Sequence, residues 1–373
     1  MSEYLSNLGF EFRVFTNVEP NPTLGSVKKG LDLLKDFKPD AIMGFGGGSP
    51  IDAGKLMWFM YENPDAQFED LALTFADIRK RIVKFPLTGK NVKFVTVPTT
   101  AGTGSEVTPF SVITDEVTHK KYPLADYALS PYMAIVDSQF QMTMPKSVTA
   151  VSGMDALSHA IEAYVSILAN EFTDPYALKA IKMIFEYLPR AVEKGSKDKE
   201  ARTQMAHAAT IAGIAFSNAF LGIVHSLSHK VGGYHGVPHG HANAIFLPYV
   251  IKYNSRVNEG KQALFAQNKY PVAKARYAEI AKAIGLTGTS DDILVNKLID
   301  KVVELTKAIG LTTDLKSAVK SSEKEFKDSL KQMSREAFDD QCTGANPRYP
   351  LIKDLQVIYE KAFTGEDAKK LDI

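Results

Sequence analysis

An aspartate and a set of histidines carry the chemistry that this sequence advertises. Asp155 and His159 stand four residues apart in an apolar run containing Ala156, Leu157, Ala160 and Ile161. Helical spacing of that run stacks a carboxylate and an imidazole on one face, one turn apart. His225 and His229 repeat the spacing on a second helical segment, and His239 opens a third. One carboxylate oxygen and several imidazole nitrogens, presented from separate helices, form a candidate divalent transition-metal site. A lone helical histidine is usually a packing residue. Several at recurring spacings, with an aspartate in the same pattern, call for a ligand.

The remaining elements must bring a reactant to that site. Met1 to Leu8 reads as the end of a helix, Glu11–Phe15 as a strand, and Thr23 as the cap of a helix running to about Phe37. Ala41–Phe45 is a short apolar strand that runs straight into Gly46-Gly47-Gly48-Ser49-Pro50-Ile51-Asp52. Ser49 suits an N-cap, Pro50 the first helical position and Asp52 the first turn of a helix reaching about Tyr61. A strand, a glycine turn and a helix start bind phosphate on backbone N–H groups and the helix dipole. Gly46, Gly47, Gly48, Ser49 and Asp52 are therefore candidate dinucleotide contacts, although Ser49 stands where the usual fingerprint has its last glycine.

A second buried strand, Val92–Val97, leads into Pro98-Thr99-Thr100-Ala101-Gly102-Thr103-Gly104-Ser105-Glu106, whose hydroxyls and glycines suit the other wall of a dinucleotide cleft. Strands near Phe110–Thr114, Tyr122–Ala125 and Met133–Val136 complete a mostly parallel, doubly wound sheet. The polar excursion from Asn63 to Lys90 holds Ile78-Arg79-Lys80-Arg81, read as a solvated helix face. After Pro145 helical periodicity dominates, through Ser147–Ala169, Pro175–Val192, Arg202–Asn218, Ile223–Val231, Ala242–Asn254, Val272–Ile284 and Asp292–Ala308. The expected architecture is α/β plus all-α. Residues 1–145 form a Rossmann-like dinucleotide-binding domain, and residues 146–373 an all-helical metal-binding domain.

Composition narrows the partners. The 373 residues carry a formal net charge of +1, with Lys and Arg scattered, which argues against nucleic acid or an acidic membrane surface. Cys342 is the single cysteine, so no intrachain disulfide forms and a reducing compartment is expected. No apolar run approaches membrane-spanning length, and the first residues lack a signal-peptide layout; the expected location is cytoplasmic.

Four motifs occur in order: Gly46-Gly47-Gly48-Ser49-Pro50-x-Asp52, Pro98-Thr99-Thr100-Ala101-Gly102-Thr103-x-Ser105-Glu106, Gly153-x-Asp155-Ala156-x-x-His159, and His225-x3-His229-x9-His239-Gly240. Together they resemble the iron-containing (group III) alcohol dehydrogenase family, whose architecture is dehydroquinate synthase-like. The 68–81 excursion, the Lys121–Leu129 stretch and Lys269-Tyr270-Pro271 resemble more closely the C-terminal alcohol dehydrogenase half of bifunctional aldehyde-alcohol dehydrogenases. The resemblance implies that Asp155, His159, His225 and His239 hold Fe²⁺. It also implies that Gly47, Gly48, Ser49, Asp52, Thr99, Thr100, Thr103 and Lys121 contact NAD(H).

The family's usual first strand is missing, as in a domain cut from a longer polypeptide fused to an aldehyde dehydrogenase. Thr16 and Asn17 stand where many members have an acidic residue that holds the adenosine ribose. Assembly into homo-oligomers or filaments is a further implication of the resemblance.

The activity so implied is reversible hydride transfer between NADH and a short aldehyde, acetaldehyde to ethanol. A divalent metal polarises the substrate oxygen. On ligand chemistry alone the donor set suits Fe²⁺ or Zn²⁺, and a zinc-dependent glycerol-type polyol dehydrogenase is the alternative on the same fold. A metallohydrolase would leave the glycine-rich loops without a purpose. His229, one turn from His225, is a candidate proton relay, since an imidazole titrates near neutrality. His235 is a candidate at the substrate entrance. His241 reads as structural or exposed, and His207 and His119 as ordinary helix or surface residues.

Overall fold

The structure is a computed structural model that describes residues 2–73, 82–116, 121–256 and 272–373. Ile78 to Arg81, His119 and Lys269-Tyr270-Pro271 lie outside the described residues.

The first region is α/β. Its helices are α1 (Ser2–Asn7), α2 (Leu24–Phe37), α3 (Gly48–Glu62) and the single turn α4 (Phe68–Leu71). Its strands are β1 (Ala41–Gly46), β2 (Lys93–Pro98), β3 (Phe110–Thr114), β4 (Lys121–Ala125) and β5 (Met133–Ala134). Strands β1, β2 and β5 form a parallel sheet in that order, with Ala41 opposite Lys93, Gly46 opposite Pro98, and Val95 opposite Met133. The ring of Phe94 fills the slot between sheet and helix that Gly44 and Gly54 leave open. A Cβ on either glycine would come within 2.9 Å of that ring. Trp58 stacks on Phe94 and donates its indole N–H to Val92 O at 2.8 Å, which fixes α3 across the sheet.

The α/β region departs from expectation in three places. Glu11–Phe15 joins no ladder, because an extended segment becomes a strand only where a partner lies beside it. Strands β3 and β4 do not extend the parallel sheet; they pair antiparallel as a separate ribbon, with Phe110 opposite Ala125 and Val112 opposite Pro123. Helix α3 begins at Gly48 with Gly47 as N-cap, two residues before the Ser49 cap expected from the Ser-Pro pair. Pro50 then falls inside the first turn, where its missing N–H costs nothing because those groups have no intrahelical partner.

From Lys146 the chain is helical: α5 (Lys146–Val165), α6 (Asp174–Lys194), α7 (Lys199–Ala219), α8 (Ile223–His235) and α9 (His239–Asn254). There follow α10 (Ala273–Ala283), α11 (Asp291–Ala308), the turn α12 (Leu315–Ala318), α13 (Glu323–Phe338) and α14 (Ile352–Thr364). Helix α5 is the axis of this region and is buried on all sides from Gly153 to Val165. A helix buried all round must be wrapped by others, and α6, α7 and α9 pack on it. Gly240 lets α9 cross α5 at close range, since a Cβ there would lie 1.9 Å from Val151 O. That crossing puts His239 beside Asp155. No single helix among the described residues is long and apolar enough to cross a membrane.

Candidate active site

Asp155 and His159 occupy one face of α5, as their spacing predicts, and His225 and His239 reach the same point from α8 and α9. Asp155 Oδ1 lies 3.7 Å from His159 Nε2, 3.7 Å from His225 Nε2 and 3.4 Å from His239 Nε2. Three imidazole nitrogens and a carboxylate oxygen therefore converge on one buried point. Asn243, one turn after His239 on α9, donates Nδ2–H to Asp155 Oδ1 at 2.8 Å.

Carboxylates behind the imidazoles set their orientation. Glu162 Oε2 lies 2.5 Å from His225 Nδ1, while Glu162 Oε1 accepts from Val224 N–H at 2.7 Å. A carboxylate on the far nitrogen fixes the tautomer and turns the near nitrogen toward a metal. Burial works against the His225 cation, but Glu162 and Asp155 push its pKa up to about 9. His159, with burial dominant and Asp155 only partly offsetting it, is pushed down to about 4. Burial also lowers His239 well below its ordinary value. Asp155 is buried too, yet the neighbouring His159, His239 and His225 hold its carboxyl well below the usual carboxylate range. An ionised carboxylate amid converging imidazoles, two of them kept from taking a proton, suits a divalent cation. The donor set fits the metal that the sequence implied.

A cavity of about 150 Å³ opens over this cluster. Its walls include Asp155, His159, His225, His229 and His239 from the helical side, and Asp52 of α3 with Thr103 and Ser105 of the stretch after β2 from the α/β side. Phe110, Val112, Phe216, Phe220 and Leu221 make much of the rest apolar. The volume is well under the roughly 300 Å³ at which drug-sized pockets begin.

The other predicted residues fall as follows. His229 lines the cavity, stacks on His239 with ring centroids 5.2 Å apart, and turns Nδ1 to Asp340 Oδ2 at 3.1 Å. His235 does not line it. Ten residues beyond His225 on the same helix is about 15 Å along the axis at 1.5 Å per residue, and there Ser321 and Ser329 take both ring nitrogens at 2.7 and 2.8 Å. The expected entrance histidine is a buried link to α13.

Gly47 and Gly48 lie against Thr100 and Thr103, so the two loops touch, and Thr99 N–H donates to Gly46 O at 2.8 Å. Ser49 Oγ accepts from Asn21 N–H at 3.3 Å, and Lys121 Nζ donates to Asn21 Oδ1 at 2.7 Å. Thr16 and Asn17 line a separate surface cleft with Glu19, Thr23, Ser26, Lys29 and Glu116. His241 is half-buried and holds Thr312 O at 3.0 Å.

Several functional positions escaped the sequence reading. Glu162 lies seven residues after Asp155, on the same α5 face, and Asn243 lies four after His239; both spacings were legible. Asp340 and Cys342 were not, because they meet α8 across more than a hundred residues of sequence. Lys55, with no exposed surface, donates to Ser105 Oγ, Thr108 O, Thr108 Oγ1 and Phe110 O at 2.7–3.1 Å. A lysine between Gly54 and the apolar run Leu56-Met57-Trp58-Phe59 was its only signal. Burial lowers its pKa to about 8, against the pull of Asp52 and Glu106.

Fold and cavity together define a class: a two-part architecture in which a Rossmann-like region and a helical region carrying a metal-type donor set line one cavity. Sequence comparison narrows the class. The iron-containing alcohol dehydrogenase profile matches residues 1–138, and the profile of that family's C-terminal part matches residues 149–363. The chain belongs to the iron-containing alcohol dehydrogenase family, and the zinc polyol alternative gives way to it.

The chain is 51% identical over 369 residues to the bifunctional aldehyde-alcohol dehydrogenase AdhE of Escherichia coli, covering 98% of this chain and 41% of that protein. It is 45% identical over 364 residues to the NADPH-dependent butanol dehydrogenase of Clostridium saccharobutylicum, covering 98% of this chain and 87% of that one. The iron-containing alcohol dehydrogenase structure from Thermococcus thioreducens superposes with a TM-score of 0.84 at 33% identity, covering 98% and 88% of the two chains.

Proposed function

We propose that this protein catalyses reversible hydride transfer between NADH and a short-chain aldehyde, acetaldehyde to ethanol. Fe²⁺ would be held by Asp155, His159, His225 and His239. The observation that carries this reading is the shared cavity, in which Asp52 of α3, just past the glycine turn, and Thr103 of the threonine-rich loop line the same space as the carboxylate–histidine cluster.

A bound divalent metal supplies Lewis-acid polarisation of a carbonyl oxygen, and the nicotinamide ring supplies or accepts the hydride. The chain's residues do the rest. Gly46, Gly47, Gly48, Ser49, Asp52, Thr99, Thr100, Thr103 and Lys121 bind the dinucleotide. The bare N-terminus of α3, whose Gly47 cap has no side chain to occupy it, suits the pyrophosphate. Phe110, Phe216 and Phe220 exclude water from the reacting carbon. His229 passes the proton between substrate oxygen and solvent, its Nδ1 held by Asp340 so that Nε2 serves the exchange. His235 is left with a structural role.

The boundary between the dinucleotide-binding and metal-binding domains falls after residue 145, where α5 begins. NADH is preferred to NADPH; the carboxylates of Glu19 and Glu116 in the cleft beside Thr16 and Asn17 disfavour a 2′-phosphate. The chain spans 41% of the length of its bifunctional relative, which supports a parent protein joined to an aldehyde dehydrogenase; a cytoplasmic location and assembly into homo-oligomers or filaments belong to the same proposal.

The test is anaerobic NADH oxidation with acetaldehyde, on protein stripped by chelator and refilled with Fe²⁺ or Zn²⁺. Activity that vanishes on stripping and returns with Fe²⁺ supports the reading, and NADPH in place of NADH gives the cofactor preference. Return with Zn²⁺ alone overturns the choice of metal. No oxidation with either metal, in protein that still binds NADH, overturns the substrate.

A further inference from the structure

Among the described residues, three that are not glycine have a positive φ: Asn21, Lys38 and Phe220. Asn21 is a residue type that tolerates the left-handed region. Lys38 closes α2 with φ 52° and ψ 61°, an ordinary left-handed helix cap. Phe220 is different. Its φ of 61° and ψ of −170° place it in a region essentially confined to glycine. Such a conformation persists only where the surroundings over-determine it, and it clusters at functional sites.

The surroundings of Phe220 are specific. It ends α7, with its N–H on Phe216 O at 2.8 Å, at the point where the chain turns by 107° into α8 and its metal-facing histidines. Gly222, two residues on, caps α8. A glycine is thus at hand in this turn, yet the strained position holds a large aromatic residue. The Phe220 ring meets Phe110 edge-on, with centroids 5.5 Å apart. Phe110 stacks on Phe216 at 5.8 Å, and Phe216 stacks on the His159 ring at 4.3 Å. This aromatic series leads from the metal-facing cluster to Phe220, and all three phenyl rings line the cavity. Phe220 packs in an apolar cluster with Ala345, Ile167 and Leu168, and with Ala125, which lines the cavity beside it.

We propose that Phe220 is the specificity-determining residue for substrate chain length: its ring is the end wall of the alkyl pocket, and the strained backbone between α7 and α8 aims it there. The proposal rests on the reading that this cavity takes an aldehyde or primary alcohol. Removing the ring extends the pocket past Ala125 toward Ala345, Ile167 and Leu168, along a path that a longer straight alkyl chain can follow. The positive φ is the cost of that placement.

The experiment uses the Fe²⁺-loaded 373-residue chain as wild type and as Phe220→Ala, Phe220→Gly and Phe220→Leu. For each, kcat/KM is measured anaerobically with acetaldehyde, butanal and hexanal. The hexanal-to-acetaldehyde ratio is expected to rise by roughly tenfold or more in the Ala and Gly variants, the scale on which apolar pockets discriminate methylenes, and by less in the Leu variant. Both truncations remove the same ring, but only glycine suits the backbone, so the Gly variant should melt at a higher temperature than the Ala variant.

An unchanged ratio in a variant that still turns over acetaldehyde overturns the proposal. A Gly variant no more stable than the Ala variant removes the strain from it. If the wild type reduces no aldehyde, the catalytic reading has failed, and the pocket is scored without turnover. Stabilisation by 1-hexanol relative to ethanol in thermal melts with NAD present should then increase in the Ala and Gly variants. Equal shifts in wild type and variants overturn the proposal by that route.

Discussion

The two walls of the cavity are held in place by different physics. On the helical wall each working imidazole meets a carboxylate: Glu162 on His225, Asp340 on His229, and Asp155 facing His159 and His239. On the α/β wall a single buried cation, Lys55, gathers the loop after β2 through neutral oxygens of Ser105, Thr108 and Phe110. Asp52 completes that wall, accepting from Ser105 Oγ and from Val112 N–H. A wall built from individual carboxylate–imidazole contacts should respond locally to a change in an outer carboxylate, whereas a wall organised by one lysine should yield as a unit.

The largest effect is expected at Lys55. Lys55→Met leaves Asp52, Glu106 and four oxygen acceptors in the interior without their cation, a loss of about 3 kcal/mol or more. Chemical denaturation should report that loss. NADH titration should weaken in the same variant while metal affinity is retained, since the helical wall is untouched. Loss of metal with NADH binding intact would show that the walls are not independent.

Glu162→Gln comes next and should act locally. Outer partners of metal-bound histidines are worth roughly 10–100-fold in affinity, so an Fe²⁺ titration should weaken by that factor with NADH binding unchanged. Unaltered metal affinity would mean that packing alone orients His225.

Asp340 sharpens the comparison through pH. It is buried, which opposes ionisation, but His229 and Lys230 hold its carboxyl far below the usual carboxylate range. A lowered folded-state pKa contributes stability that is present above the unfolded value and lost as pH falls below it. Asp340→Asn keeps an oxygen for Cys342 N–H, so it should be less stable at neutral pH and show a flatter loss of stability below about pH 4. Acid unfolding curves that superpose on wild type would contradict the pairing.

The smallest effect is expected at His235. Breaking its two serine contacts in His235→Ala should cost about 1 kcal/mol and leave the pH dependence of kcat unchanged. A changed pH–rate profile would return His235 to the reaction.

What the sequence disclosed follows the range of the interaction concerned. Asp155 with His159, and His225 with His229, were legible because helical spacing is local and alone decides which side chains share a face. The glycine loop was legible as a turn but misplaced by two residues. Ser-Pro is a strong local cue for a helix start, and Gly47 overrode it by supplying the extended N-cap. Glu11–Phe15 and the β3–β4 ribbon went astray because strand pairing is a property of two segments, whereas alternation within one segment says nothing about its partner. His235 misled because proximity in sequence to His239 does not survive the turn between α8 and α9. Phe220 could not be found at all, since nothing in Phe220-Leu221-Gly222 reveals which residue takes the positive φ.

The central claim is that Asp155, His159, His225 and His239 hold one divalent metal at the closed end of a dinucleotide cleft. Anaerobic Fe²⁺ titration by calorimetry, on stripped wild type and on Asp155→Ala, tests it most directly. The account predicts saturation near a single ion per chain in the wild type, no such binding in Asp155→Ala, and NADH binding retained by both. Equal Fe²⁺ binding by the two proteins would put the metal elsewhere and contradict it.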